Sequence, residues 1–177
     1  MLRALELARK GKTTPNPMVG AVLVKNNRII AEGFHSRAGG PHAEVVALRK
    51  AGSKARGAEL YVNLEPCCHM GRTSPCTDAI IKSGVSRVFA GMKDTNKLVQ
   101  GKGIRILKAA GIKVLSGMMK NDCEKLNETF VKQSFRNRLQ LAQASGNLLV
   151  TFPVKQSKSE IDVPMDKAML SSHIQPK

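Results

Sequence analysis

The sequence is poor in aromatic residues, with no Trp, one Tyr and an aromatic content of 3% over 177 residues. Proteins that bind single-stranded nucleic acid stack its bases on aromatic side chains, and this chain has few of them. The formal net charge of +16 favours an anionic partner. The charge is spread along the chain without a run of five or more like charges, which favours diffuse solvated surface charge over a nucleic-acid-binding patch. An anionic substrate stays open.

Long apolar runs are also absent, and no stretch approaches the 18 consecutive apolar residues of a membrane span. The first 17 residues lack the apolar core of a secretory signal. Only four cysteines occur, and two of them, Cys67 and Cys68, are adjacent. This pattern favours free thiols or a metal site over a disulfide framework. We therefore expect a soluble cytoplasmic protein that makes no membrane contact.

The periodicity of apolar residues predicts an α/β fold. The predicted strands are 19–24, 28–34, 59–64, 87–91 and 113–116, and the predicted helices are 2–10, 42–51, 74–82, 103–110 and 121–133. Asn26 and Asn27 favour a tight hairpin between the first two strands, and Ser74 is the expected N-cap of the third helix. Single helices between the later strands predict a mixed, mainly parallel sheet of about five strands with helices on both faces, a three-layer α/β/α sandwich.

After about Arg138 neither periodicity continues, and Gln, Ser, Lys and Pro dominate. A segment of some forty residues is too short for a second domain. We therefore predict one domain over 1–135 and a loosely attached tail over 136–177.

Two short segments carry the residues typical of a catalytic zinc site. One contains His42 and Glu44, and the other runs from Pro66 to Cys76. One imidazole and two thiolates leave the fourth tetrahedral position of zinc open for water, whose pKa the metal lowers to about 7. Glu44 falls in the first turn of its predicted helix, where a carboxylate can transfer protons without binding the metal.

The cysteine positions suit this chemistry. Cys76 falls in the first turn of a predicted helix, where the unpaired N–H groups and the positive end of the dipole favour a thiolate. Cys67 follows the end of a predicted strand, which is where open α/β sheets place their sites. The signature H-x-E…P-C-x-x-C is typical of zinc nucleobase deaminases. Eight residues separate the two cysteines here instead of two, and Cys68 and His69 are further possible ligands, so a closed structural zinc site stays open as an alternative.

Four segments, TTPNPMVGAVLVK, HAEVVALRKAG, LEPCCHMGRTSPCTDAII and GMKDTNKLVQGKGIRILKAAGIKV, closely resemble the deaminase half of the bifunctional riboflavin-biosynthesis deaminase/reductase family. The resemblance covers about residues 1–135 and includes the longer cysteine loop. It implies a cytidine-deaminase-like fold with one zinc ion per chain, held by His42, Cys67 and Cys76, and with Glu44 as the proton donor. The implied reaction is hydrolytic deamination of the phosphorylated diaminopyrimidine formed when GTP is opened.

The resemblance also implies that Asn16, His35 and Arg72 contact the substrate. From the residues alone, Asn16 between two prolines is either a reader of the pyrimidine or ribose or an ordinary turn residue. His35 at a strand end is either a phosphate ligand or a structural histidine. Arg72 in the cysteine loop is either a two-pronged phosphate ligand or a solvated side chain.

The family's reductase half has no full counterpart in this sequence, since residues 139–146 only echo its opening segment. We therefore expect no reductase activity and no NADP, and we interpret 136–177 as a truncated or drifted remnant in place of a reductase domain. A separate chain would then supply the reductase. By analogy with related folds, a homo-oligomer is also expected.

Two rival functions stay open at this point. The first is deamination of a base in tRNA or of a free nucleoside by the same site, which the basic charge favours. The second is a catalytically inactive zinc-binding fragment, although an intact Glu44 beside three ligands argues against it.

Overall fold

A computed structural model describes residues 1–71, 74–96 and 99–144. Its strands are β1 (Gly20–Lys25), β2 (Arg28–Phe34), β3 (Glu59–Leu64), β4 (Arg87–Met92) and β5 (Lys113–Ser116). Its α-helices are α1 (Leu2–Ala8), α2 (Ala43–Ala51), α3 (Cys76–Ser83), α4 (Lys102–Ala109), α5 (Lys120–Leu126) and α6 (Glu128–Ala144), with a 3₁₀ turn at Gly52–Ala55. None of these helices is long and apolar enough to cross a membrane.

The strands form one mixed five-stranded sheet in the order β2-β1-β3-β4-β5. This confirms the predicted α/β class and the hairpin, in which Asn26 and Asn27 adopt φ values of 51° and 58°. The expectation of a mainly parallel sheet was wrong, because β1 is antiparallel to both β2 and β3, and only the pairs β3–β4 and β4–β5 are parallel. The connection through α2 carries the chain across β1, so that β3 pairs with β1 instead of β2.

Helices cover both faces of this sheet. Adjacent strand residues point to opposite faces. A Cβ at Gly20 of β1 would overlap the backbone of α1, whereas one at Gly33, opposite Ala21, would overlap the backbone of α2. Helices α1 and α5 contact each other, α2 contacts α3, and α3 contacts α4. The predicted three-layer arrangement is therefore confirmed.

The predicted helix over 121–133 is two helices, because the chain breaks at Asn127 (φ −105°) between α5 and α6. Helix α6 then continues to Ala144, across the predicted boundary at 135 and into the expected tail. Its Ala, Leu, Gln and Arg residues are good helix formers even without an apolar stripe, so periodicity alone misses it. The rest of the predicted tail, from residue 145, lies outside the described residues.

The glycine at position 33 allows α2 to pack directly on β2. A Cβ there would overlap the carbonyl oxygen of Ala43 and lie 2.6 Å from the backbone nitrogen of Ala47, atoms that cannot move without moving the helix. This close approach matters for the site, because the residues at the start of α2 include the predicted His42 and Glu44.

We expect Gly33→Ala to lower the free energy of unfolding by about 1–3 kcal/mol, because overpacking against backbone forces the helix to shift. The matched control is Gly71→Ala, where the nearest atom to a new Cβ is the His69 Nε2 at 3.9 Å. Denaturant unfolding monitored by circular dichroism measures both variants. Equal stability of the two would contradict the packing described for α2.

Candidate metal centre

The start of α2 places His42 and Glu44 at one edge of the sheet. His42 is the N-cap residue with extended backbone (φ −70°, ψ 156°), and Glu44 lies in the first turn of the helix. Glu44 is 3% exposed. Its side chain therefore enters the protein beside the imidazole of His42, although the two residues do not share a helical stripe.

The two cysteines come from the end of β3 and the start of α3. Cys67 follows the last residue of β3 by three positions, and Cys76 is the first residue of α3. The Cys76 backbone N–H donates to the Cys67 Sγ at 3.3 Å, and the Thr77 N–H donates to the Cys67 carbonyl oxygen at 3.1 Å. Two orphan N–H groups of the helix are thereby satisfied by Cys67.

The prediction that Ser74 caps α3 was wrong. Pro75 occupies the N-cap position and the helix has no side-chain cap from it. Ser74 is a suitable capping residue close to the start of α3. The helix is capped instead by Cys67, nine positions before its first residue, and local sequence rules do not consider a residue that far away.

Three donor atoms meet at this point. The His42 Nδ1 lies 3.1 Å from the Cys76 Sγ and 3.4 Å from the Cys67 Sγ. All three donors lie within 4.8 Å of one another, and in the described part of the chain no other His, Cys, Asp and Glu side chains form such a group. Tetrahedral zinc with bonds of about 2.1 Å to nitrogen and 2.3 Å to sulfur holds these ligands roughly 3.5 Å apart. The donor set and its spacing fit zinc.

The charges of the two sulfurs also fit a dication. A hydrogen bond from the Cys76 thiol lowers the pKa of Cys67 to about 4, and the same hydrogen bond, together with burial, raises the pKa of Cys76 far above its usual range. A bound dication would stabilise both sulfurs as thiolates at neutral pH.

Glu44 is the buried acid of the same site. Burial raises its pKa to about 7. A carboxyl group with a pKa near neutrality can both accept and donate a proton at the pH of the cell. This is the property that a proton-transfer residue requires.

The alternative ligands at Cys68 and His69 do not join the cluster. Cys68 is half-buried, and burial raises its pKa above the usual value. His69 lies at the wall of the adjacent cavity, and its Nδ1 is buried without a hydrogen-bond partner among the described residues. A group of three donors beside a cavity favours an open site over a closed structural one.

The cavity has a volume of about 570 Å³, which is the size of many small-molecule sites. Five of the seven predicted site residues line it, namely Asn16, His35, His42, Glu44 and Cys67. Cys76 is fully buried. Arg72 lies outside the described residues, so its predicted contact stays a prediction.

Asn16 is an exposed residue at the wall of this cavity. Its backbone N–H donates to the Thr13 carbonyl oxygen at 2.7 Å. The Thr13 hydroxyl in turn donates to the carbonyl oxygens of Asn16 and Pro17, both at 3.1 Å. The backbone of Asn16 therefore forms a turn, as the simpler interpretation expects, while the residue borders the cavity.

His35 is a buried residue that packs against His42. It is 5% exposed, and the two rings meet edge to face with centroids 5.4 Å apart. The His35 Nδ1 lies 3.1 Å from the carbonyl oxygen of Pro41. A carbonyl only accepts, so this nitrogen carries the proton, and the Nε2 is the atom left for a ligand. His35 thus supports the start of α2 and also borders the cavity.

The cavity residues that were not predicted include the polar Glu65, Asp94 and Asn96 and the aromatic Phe130. Asp94 follows β4, so the rule that placed Cys67 at a strand end would have found it. Glu65 is 2% exposed, and its carboxylate accepts the N–H groups of Asp94, Gly101 and Ile104 at 3.2, 2.9 and 3.2 Å. Phe130 comes from α6, and no sequence signal points to it.

Known proteins match this chain in both sequence and structure. RibD of Escherichia coli K12, a riboflavin biosynthesis protein, is 56% identical over 135 residues, which is 75% of this chain and 37% of that protein. The structure of Acinetobacter baumannii RibD superposes with a TM-score of 0.74 at 52% identity, covering 75% of this chain and 38% of that one. A Thermotoga maritima deaminase/reductase structure gives a TM-score of 0.74 at 48% identity, with coverages of 77% and 40%.

The chain spans just over a third of the length of the curated relatives it matches. The matched part contains the whole His, Glu and Cys cluster, because the family defined by the cytidine and deoxycytidylate deaminase zinc-binding region matches residues 1–92. This match includes strands β1 to β4, the N-termini of α2 and α3, and the three-donor cluster with the buried Glu44. The chain belongs to the zinc-binding cytidine and deoxycytidylate deaminase family.

Proposed function

We propose that the chain catalyses the hydrolytic deamination of the phosphorylated diaminopyrimidine in riboflavin biosynthesis, with release of ammonia. The observation that carries this proposal is the buried Glu44, which borders the same cavity as His42 and Cys67 of the three-donor cluster. The Thermotoga maritima relative is described as a diaminohydroxyphosphoribosylaminopyrimidine deaminase and a 5-amino-6-(5-phosphoribosylamino)uracil reductase. The three-donor cluster and the buried Glu44 support the first of these two activities for this chain. We place this reaction in the cytoplasm.

Each residue of the cluster has a defined role in this proposal. His42, Cys67 and Cys76 would hold one zinc ion through Nδ1 and two sulfurs. When bound, zinc supplies a Lewis acid that makes water nucleophilic at neutral pH. The Glu44 carboxylate takes a proton from the attacking water and gives it to the departing amine. The new C–O bond replaces the broken C–N bond, and ammonia and the carbonyl product leave.

Two of the three residues that we expect to contact the substrate, Asn16 and His35, line the cavity. The family resemblance implies that Asn16, His35 and Arg72 contact the substrate. From the chemistry of their side chains we assign the pyrimidine or ribose to Asn16 and the phosphate to His35 and Arg72. The positions of Asn16 and His35 at the cavity support this assignment. The formal net charge of +16 attracts a phosphorylated substrate from a distance.

We expect Glu44→Gln to keep one zinc per chain and to lose deaminase activity by a factor of about 10² to 10⁴, because the amide cannot transfer the proton. The matched control is Glu6→Gln, an exposed residue of α1, which should keep wild-type turnover. Metal analysis and ammonia release measure the two properties. Wild-type turnover in Glu44→Gln would exclude the proposed mechanism.

Replacing one of two neighbouring cysteines tests the ligand set. Cys67→Ser should lose stoichiometric zinc, because a neutral hydroxyl is a poor substitute for thiolate, whereas Cys68→Ser should retain it. Zinc per chain after dialysis against a weak chelator is the measurement. Equal loss in both variants would show that Cys68 is a ligand and that the site is closed.

The substrate class is tested by offering the zinc-loaded chain three compounds in parallel: the phosphorylated diaminopyrimidine, dCMP and unmodified tRNA. We expect ammonia release from the diaminopyrimidine alone. Release only from tRNA or dCMP would replace the substrate while keeping the site. A chain that binds zinc and deaminates none of them would support the inactive-fragment interpretation.

A further inference from the structure

The side-chain amide of Asn127 makes two hydrogen bonds to a single residue far away in the sequence. It lies at the junction of α5 and α6 and is 3% exposed. Its Oδ1 accepts the Met18 backbone N–H at 2.8 Å, and its Nδ2 donates to the Met18 carbonyl oxygen at 3.1 Å. The amide thus pairs with Met18 as a neighbouring strand would, and we refer to this pair of bonds as the Met18 bracket.

A second buried amide completes the anchoring of Met18. Asn63 of β3 is fully buried, donates from Nδ2 to the Met18 carbonyl oxygen at 2.9 Å, and accepts the Gly20 N–H on Oδ1 at 2.8 Å. Both lone pairs of the Met18 carbonyl are therefore occupied. Asn63 also holds β1, so its loss would disturb the sheet. Asn127 contacts the loop without holding a strand.

The Met18 bracket ends the loop that carries Asn16. Pro15 and Pro17 have no backbone N–H, so this part of the loop has few ways to be held by hydrogen bonds. Thr13 fixes one end through its hydroxyl bonds to Asn16 and Pro17. Asn127 and Asn63 fix the other end at Met18. The position of Asn16 at the cavity therefore depends on a residue 109 positions after Met18.

We infer that Asn127 is a positioning residue for the substrate, which acts by holding the loop of Asn16 at the cavity wall. This inference rests on the proposed function in one respect, the contact between Asn16 and the substrate. A loop that is not held must be ordered each time the substrate binds, and that cost weakens binding. Asn127 is therefore expected to affect the KM more than the kcat, because the zinc ligands and Glu44 are held by other elements.

The test uses the full zinc-loaded chain and four variants: Asn127→Ala, Asn127→Asp, Asn16→Ala and the double variant Asn16→Ala/Asn127→Ala. The aspartate fills the same space and keeps an acceptor but loses the donor to the Met18 carbonyl. The control is Asn121→Ala, an exposed residue of α5. The readouts are zinc per chain, KM and kcat for the diaminopyrimidine, and hydrogen exchange of the Met18 backbone N–H.

We expect Asn127→Ala to raise the KM about tenfold with less than a threefold change in kcat, to retain zinc, and to speed exchange at Met18. Asn127→Asp should raise the KM in the same direction. In the double variant, the second change should add less than a twofold loss to that of Asn16→Ala, because both changes remove the same substrate contact. Asn121→Ala should match the wild type in every readout.

Three results would overturn the inference. The first is an unchanged KM and unchanged Met18 exchange in Asn127→Ala. The second is full additivity with Asn16→Ala, which would show that Asn127 acts apart from Asn16. The third is a fall in kcat and zinc content in both Asn127 variants without a change in KM, which marks a purely structural role. If the wild-type chain released no ammonia, the proposed function would fail, while Met18 exchange would still decide whether the bracket exists.

Discussion

The hydrogen bond from the Cys76 backbone N–H to the Cys67 sulfur joins the end of β3 to the start of α3, and the rest of the site depends on it. The loop between the two cysteines is long enough to place them at many separations. This bond, with the second one from Thr77 to the Cys67 carbonyl, fixes one separation. It also places a sulfur at a helix N-terminus, where the unpaired N–H groups favour the thiolate. The imidazole of His42, at the start of the neighbouring helix, then completes the group of donors.

Two buried acids at this edge of the sheet illustrate how the surroundings decide what a carboxyl group does. Both oxygens of Glu65 are occupied by backbone N–H groups, which hold the loop after β4 and the start of α4. Glu44 lies beside His42 at the start of α2, and burial raises its pKa to about 7. Glu65 therefore supports the backbone around the cavity, and Glu44 is the acid suited to proton transfer.

The sequence predicts the parts of this site that are local. The hairpin and the strand bounds to within about one residue follow from short patterns. The choice of His42, Cys67 and Cys76 over Cys68 and His69 came from the family resemblance. Features that depend on distant contacts were missed. The order of the strands depends on which side of β1 the chain returns to, and the cap of α3 comes from Cys67 instead of Ser74. The Met18 bracket joins residues 109 positions apart, so no local rule could find it.

We propose that the chain holds an open catalytic zinc site rather than a closed structural one. X-ray absorption at the zinc K-edge of the purified chain tests this directly, because sulfur scatters differently from lighter ligands and imidazole rings add outer-shell scattering that counts them. Two sulfurs at about 2.3 Å, with one nitrogen and one oxygen ligand at shorter distance, is the predicted result. Three sulfur ligands, or two sulfurs with two imidazoles, would show that Cys68 or His69 closes the site, and would contradict an open catalytic site.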